Sequence, residues 1–174
     1  MSDAIGGVVN IALIVFFIIV IASYMAFNVN YEKAFNVKNE IVSLYEENNG
    51  SCLAKCKQKI QEYEKQIGYG KMNLKAGKNE RCFNNYGYCV RGVEARRYTS
   101  SNSLESKKKY RSPYTYCYFR IRTQVLIDIP IIDNLMNLSV FQVTGQTKTL
   151  KLFNKNVSST SEKDQYCISV ANAG

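Results

Sequence analysis

Val8 to Phe27 reads VVNIALIVFFIIVIASYMAF, twenty residues without a formal charge. As a helix that run is about 30 Å long, the thickness of a bilayer's hydrocarbon core. Seven residues precede it, and no later stretch is as apolar. A cleaved secretory signal would open on a basic region, carry a shorter apolar stretch and end at a small-x-small site. Met1 to Gly7 instead hold Asp3 and neither Lys nor Arg. A helix of a soluble core is rarely apolar on every face. Residues 8–27 are therefore read as a retained transmembrane helix behind a short N-terminal tail or leader, 1–7. Asn10 and Ser23 lie near its ends, and Tyr24 suits an interfacial position.

Working outward, residues 28–70 read as amphipathic helix. Asn28 to Glu47 lacks Gly and Pro and places Val37, Ile41, Leu44 and Tyr45 on one face, until Asn48-Asn49-Gly50 signals a stop. A second helix follows, with Ser51 as N-cap, a stripe of Leu53, Cys56, Ile60, Tyr63 and Ile67, and Gly68 and Gly70 as terminators. Residues 71–116 are polar, basic and loop-rich, with Ser100 to Lys109 (SSNSLESKKK) reading as a mobile loop. Residues 117–174 form the strand region. Phe119, Ile121, Thr123, Val125, Ile127 and Ile129 alternate with polar neighbours up to Pro130, and further strands are expected at Leu138–Leu150 and Gln165–Val170. The fold class is α+β: a membrane helix, its amphipathic continuation, and a small antiparallel sheet.

Six cysteines follow the apolar run: Cys52, Cys56, Cys82, Cys89, Cys117 and Cys167. An even count in a small domain suggests disulfides and an oxidising compartment. With no His and no C-x-x-C pair, the usual zinc ligand sets are missing. Cys52 and Cys56 either bridge each other or take distant partners. Cys82 and Cys89 would close the turn FNNYGY, and a Cys117–Cys167 bridge would staple the sheet's edges. Lys33 and Lys38 beyond the apolar run favour a cytoplasmic domain by the positive-inside rule, but each has an acidic neighbour. The cysteines decide for export, with the N-terminus cytoplasmic and the domain extracytoplasmic.

Two stretches resemble the TadE-like minor pilins (pseudopilins) of Tad-type and type IV pilus systems. One is IGGVVNIALIVFFIIVIASYMAFNVNYEKAFNVKNEI (Ile5–Ile41), and the other is FRIRTQVLIDIPIIDNLMNLSVFQVTGQTKTL (Phe119–Leu150). The resemblance implies a pilin-like fold, cleavage by a leader peptidase at Gly6–Gly7, and partners among membrane lipid, other pilin-like subunits and assembly-platform proteins. It also implies a glutamate five positions beyond the cut. Here that position is Ile11, or Asn10 when the apolar helices are aligned and Ile5 precedes the cut. An accessory subunit suits that departure better than a major one; so does a static single-pass surface or envelope protein.

No catalytic, cofactor or metal residue is expected. Without His there is no Ser-His-Asp or Cys-His set, and no phosphate-binding Gly loop occurs. The acid pairs Glu46–Glu47 and Glu62–Glu64 read as solvated helix faces. The net charge of +9 concentrates between Arg91 and Arg122, where Arg96, Arg97, Lys107, Lys108, Lys109 and Arg111 interleave with tyrosines as a candidate polyanion-binding segment. Asn49, Asn137 and Asn156 begin Asn-x-Ser triplets, which an asparagine-rich chain also produces by chance.

Overall fold

A computed structural model describes residues 2–69, 73–95, 114–125, 141–153 and 160–172. Helix α1 runs unbroken from Ser2 to Glu47. Neither Gly nor Pro interrupts it after Gly7, and Ser23 Oγ donates to the Ile19 carbonyl at 2.7 Å, so its hydroxyl stays satisfied within the apolar run. Beyond Phe27 one face buries Ala34, Val37, Ile41, Leu44 and Tyr45 at three- and four-residue steps. The expected stop holds. Asn49 and Gly50 take positive φ, and the Gly50 N–H bonds the Tyr45 carbonyl at 2.8 Å. Gly50 is required twice over, since a Cβ there would sit 2.1 Å from the Phe119 ring.

Helix α2, Ala54–Ile67, ends at Gly68 in the left-handed region, as expected. Its start differs from expectation. Leu53 is the N-cap residue, without a side-chain cap bond, and Ser51 lies outside. The Cys52–Cys56 disulfide closes this first turn, and Cys52 precedes the helix rather than lying on it. Leu53 is 63% exposed and drops out of the apolar stripe. The buried stripe is Cys56, Ile60 and Glu64, so the reading of Glu64 as a solvated acid is corrected.

Five antiparallel strands form one sheet: β1 (Arg81–Phe83), β2 (Tyr88–Glu94), β3 (Tyr114–Val125), β4 (Phe141–Gln146) and β5 (Leu150–Phe153). Three of these strands, β1, β2 and the start of β3, come from the segment read as loop-rich. Cys82 and Cys89 pair directly across the β1–β2 hairpin and are disulfide-bonded, as expected. Strand β3 is the long centre, with β2 on one side and both β4 and β5 on the other. The expected strand Leu138–Leu150 is thus broken within its described part. Arg120 faces Gln146 and Cys117 faces Leu150, so three residues (Thr147, Lys148, Thr149) oppose two (Tyr118, Phe119). This is a bulge, stitched by Thr147. The Thr147 N–H donates to the Phe119 carbonyl, and Thr147 Oγ1 accepts the Phe119 N–H, both at 3.0 Å. Thr147→Val keeps the shape but leaves the buried Phe119 N–H unmet. The expected loss is about 1–3 kcal/mol, read as a lower thermal midpoint in detergent.

The expected third strand, Gln165–Val170, is helical. Helix α3 spans Thr160–Asn172. Its β-rich composition misleads, because six residues of alternation cannot separate the two periods. Tyr166, Cys167, Val170 and Ala171 face the core at helix spacing. The Cys117–Cys167 bridge forms, but it staples helix to sheet rather than sheet edges. Both α1 and α3 cover the face made by Thr115, Cys117, Phe119, Ile121, Thr123 and Val125. Thr123 Oγ1 donates to the Ala34 carbonyl at 3.1 Å, and a Cβ on Gly92 would lie 1.9 Å from the Cys167 carbonyl oxygen. The other face of the sheet carries no helix among the described residues.

Candidate functional site

Two surfaces remain once the core is accounted for: the N-terminal half of α1 and the helix-free face of the sheet. The first is bare. Among the described residues α1 is the one helix long and apolar enough to cross a membrane, with a mean hydropathy of 2.7 over its most apolar stretch and none of that stretch buried. Phe17 is 59% exposed and Tyr24 66%. The sheet meets the helix where the apolar run ends. Phe27 packs edge-on against Phe141, the first residue of β4, at 5.3 Å between ring centroids. Lys33 Nζ, just beyond, donates to the Gly68 carbonyl at the end of α2.

The residues expected to matter fall in three places. The Gly6–Gly7 bond lies inside α1, five residues from its first turn's start at Ser2. All six cysteines are disulfide-bonded: Cys52–Cys56, Cys82–Cys89 and Cys117–Cys167, with Cα separations of 5.2, 4.0 and 5.7 Å. Glu80 lies beside Cys82 and Cys89, but both sulfurs are committed to each other and offer no thiolate to a metal. Arg96, Arg97, Lys107, Lys108, Lys109 and Arg111 lie outside the described residues, as do Asn137 and Asn156.

The strands flanking that basic segment carry the rest of its charge. On the helix-free face Arg91 of β2 stands directly opposite Arg120 of β3, and Arg120 opposite Gln146 of β4. Arg122 is neutralised by Glu80, with Nε–Oε1 at 3.0 Å and Nη2–Oε2 at 2.5 Å. Burial opposes ionisation of Glu80. Hydrogen bonds from Arg122 and the Gly77 N–H, with the charges of Arg122 and Arg91, outweigh it and hold the carboxyl below its ordinary value of 4.5. A depressed carboxyl stabilises the fold above that value, and the contribution is lost as pH falls through the folded-state pKa. Glu80→Gln is therefore expected to lower the thermal midpoint near neutrality and to flatten its decline below pH 4.5, in paired melts against pH.

The interior holds other ionisable groups. Burial lowers the pKa of Lys38, whose ammonium sits 3.9 Å from the Phe35 ring centroid while its stem crosses Gly145. Burial raises Tyr45 and Tyr69 to about 12 and pushes Tyr88 up as well. The Tyr69 hydroxyl donates to the Gln124 carbonyl at 2.8 Å and accepts the Gln124 N–H at 3.1 Å, closing the end of the β2–β3 ladder. These hydroxyls stay protonated and serve packing.

No protein-family model, curated protein or solved structure matches the chain. What it can do follows from its own surfaces. Sequence reading located the apolar helix and the Cys82–Cys89 and Cys117–Cys167 pairs and left Cys52–Cys56 open, which the structure closes; it missed the Arg91–Arg120 opposition. That opposition depends on the register between β2 and β3, which only the fold sets. The signal available was the basic, tyrosine-interleaved composition of Arg91 to Arg122.

Proposed function

We propose that the chain is a membrane-anchored, non-enzymatic, pilin-like subunit of a pilus or secretion apparatus, of the TadE-like kind. One observation carries this: α1 is a single helix whose first half is bare and apolar while its second half is the spine of a disulfide-braced sheet. A rigid helix of that design can sit in lipid and can equally bundle with like helices, while the sheet keeps the assembly soluble. Three disulfides favour an oxidising side for the domain, leaving the N-terminus cytoplasmic. Partners would then be lipid, other pilin-like subunits and assembly-platform proteins. Intact-mass measurement of the protein from native membranes tests the reading. Loss of the residues up to Gly6 or Ile5, with an N-methylated new terminus, is expected.

A second reading is a static single-pass surface or envelope protein that binds a partner through the sheet domain. The absence of a glutamate at Asn10 and Ile11 favours it. An intact N-terminus on the mature protein, with no crosslinks between apolar helices, would establish it in place of the first.

A further inference from the structure

The helix-free face of the sheet is cationic on its strands among the described residues, with Glu80, from the segment before β1, compensating Arg122. Its outward positions on β2 to β5 are Cys89, Arg91, Val93, the even-numbered residues of β3, Gln142, Thr144, Gln146, Lys151 and Phe153, and none of these is Asp or Glu. Directly opposed like charges on adjacent strands repel. Arg91 and Arg120 nevertheless stand opposite each other, and Glu80, on which the charge of Arg91 also acts, is bonded to Arg122. Arg91 Nε is buried and has no hydrogen-bond partner among the described residues. Beside the pair, Arg120, Thr144, Gly145 and Gln146 line an open cavity of about 290 Å³. A guanidinium, a hydroxyl and an amide converging there form a donor set suited to a tetrahedral oxyanion.

The same face carries rings. Further along β3, Phe153 is 55% exposed and packs edge-on against Tyr114 at 5.6 Å, with Lys151 Nζ 3.9 Å from the centre of the Tyr114 ring. From Tyr114 to Arg120 is about 20 Å along the strand, and same-face residues recur every ~6.8 Å, roughly twice the 3.4 Å base rise of a stacked strand. An extended, unstacked single strand matches that spacing. A lipid headgroup beside the protein's own anchor does not: Arg120 lies about 17 Å along β3 from Val125, the end that adjoins Phe141 and Phe27.

From this geometry we infer that the outward sheet face binds single-stranded nucleic acid, with Arg120, Thr144 and Gln146 holding a phosphate, Arg91 adding charge beside them, and the Phe153–Tyr114 pair receiving a base. This does not depend on the pilin-like reading, because it concerns only the sheet.

The test uses full-length protein in detergent micelles and the fluorescence anisotropy of a labelled oligothymidylate over a salt series. Wild type is expected to bind. Arg120→Gln, at an exposed position, weakens binding about tenfold and reduces the salt slope by about 0.7, and adding Arg91→Gln repeats both effects. Phe153→Ala weakens binding about fivefold or more while leaving the slope unchanged. Lys65→Gln on α2, which removes a charge elsewhere, leaves affinity near wild type. Four outcomes overturn the inference: no binding by wild type; unchanged affinity in an Arg91→Gln/Arg120→Gln protein that melts like wild type; equal loss in Lys65→Gln; or a heparin fragment that competes as well as the strand while Phe153→Ala is neutral. The last outcome would leave a general oxyanion site.

Discussion

Replacing Cys117 and Cys167 together by alanine is expected to cost about 4 kcal/mol and to lower the thermal midpoint by about 10 °C. The bridge spans 50 residues, and closing a loop of that size removes far more unfolded-state entropy than the short Cys52–Cys56 or Cys82–Cys89 loops. The native side of the balance adds to this. Both sulfurs are fully buried, and α3 rests so closely on the sheet that only a glycine fits at position 92. Once the bridge is gone, α3 is held to the sheet by Tyr166, Val170 and Ala171 and by the bond from the Arg81 guanidinium to the Asn172 carbonyl. Amide exchange in α3 should therefore rise before that in β3. Melts of the paired-alanine protein, beside an equivalent Cys82/Cys89 pair variant, measure the contrast. Equal losses in the two would show that the longer loop and the docking of α3 add nothing beyond what a short bridge supplies.

How much of this was legible beforehand depended on the physical scale of each signal. The apolar run and the alternation of Phe119 to Val125 are repeated many times over, so each marked its element, and the alternation also marked its buried face. Turn residues with a steric requirement were equally readable, as at Gly50 and Gly68. Short segments were not. Gln165 to Val170 carries β-rich residues, yet its contacts with Gly92 and Cys117 set it as a helix. The bulge at Thr147 was hidden because one extra residue changes register without changing composition. The buried Glu64 was hidden for a related reason: α2 is charged on several sides, and only its packing selects which acid turns inward. The candidate anion site belongs to this second class, since Arg91 and Arg120 lie far apart in sequence and become neighbours through strand pairing alone.

The bare half of α1 admits a test that separates lipid from a protein partner. Four consecutive residues, Phe16, Phe17, Ile18 and Ile19, step round the helix by about 100° each and so sample every side. Where lipid surrounds the helix, a lysine at any of the four costs about 2.5–3.5 kcal/mol, since no side offers water. Each single lysine variant should then shift the insertion equilibrium by about fiftyfold or more, measured as the partition of protein between membrane and supernatant in an alkaline wash. Where a protein groove covers the helix, one or two positions would suffer and the opposite ones would be silent. Tyr24→Lys provides the internal scale: near the end of the apolar run the long side chain reaches the interface, and retention should change little. Four uniform losses with a neutral Tyr24→Lys are the result expected of a membrane span. Release of the wild-type protein itself by the wash would remove the anchor, and with it the pilin-like reading that rests on it.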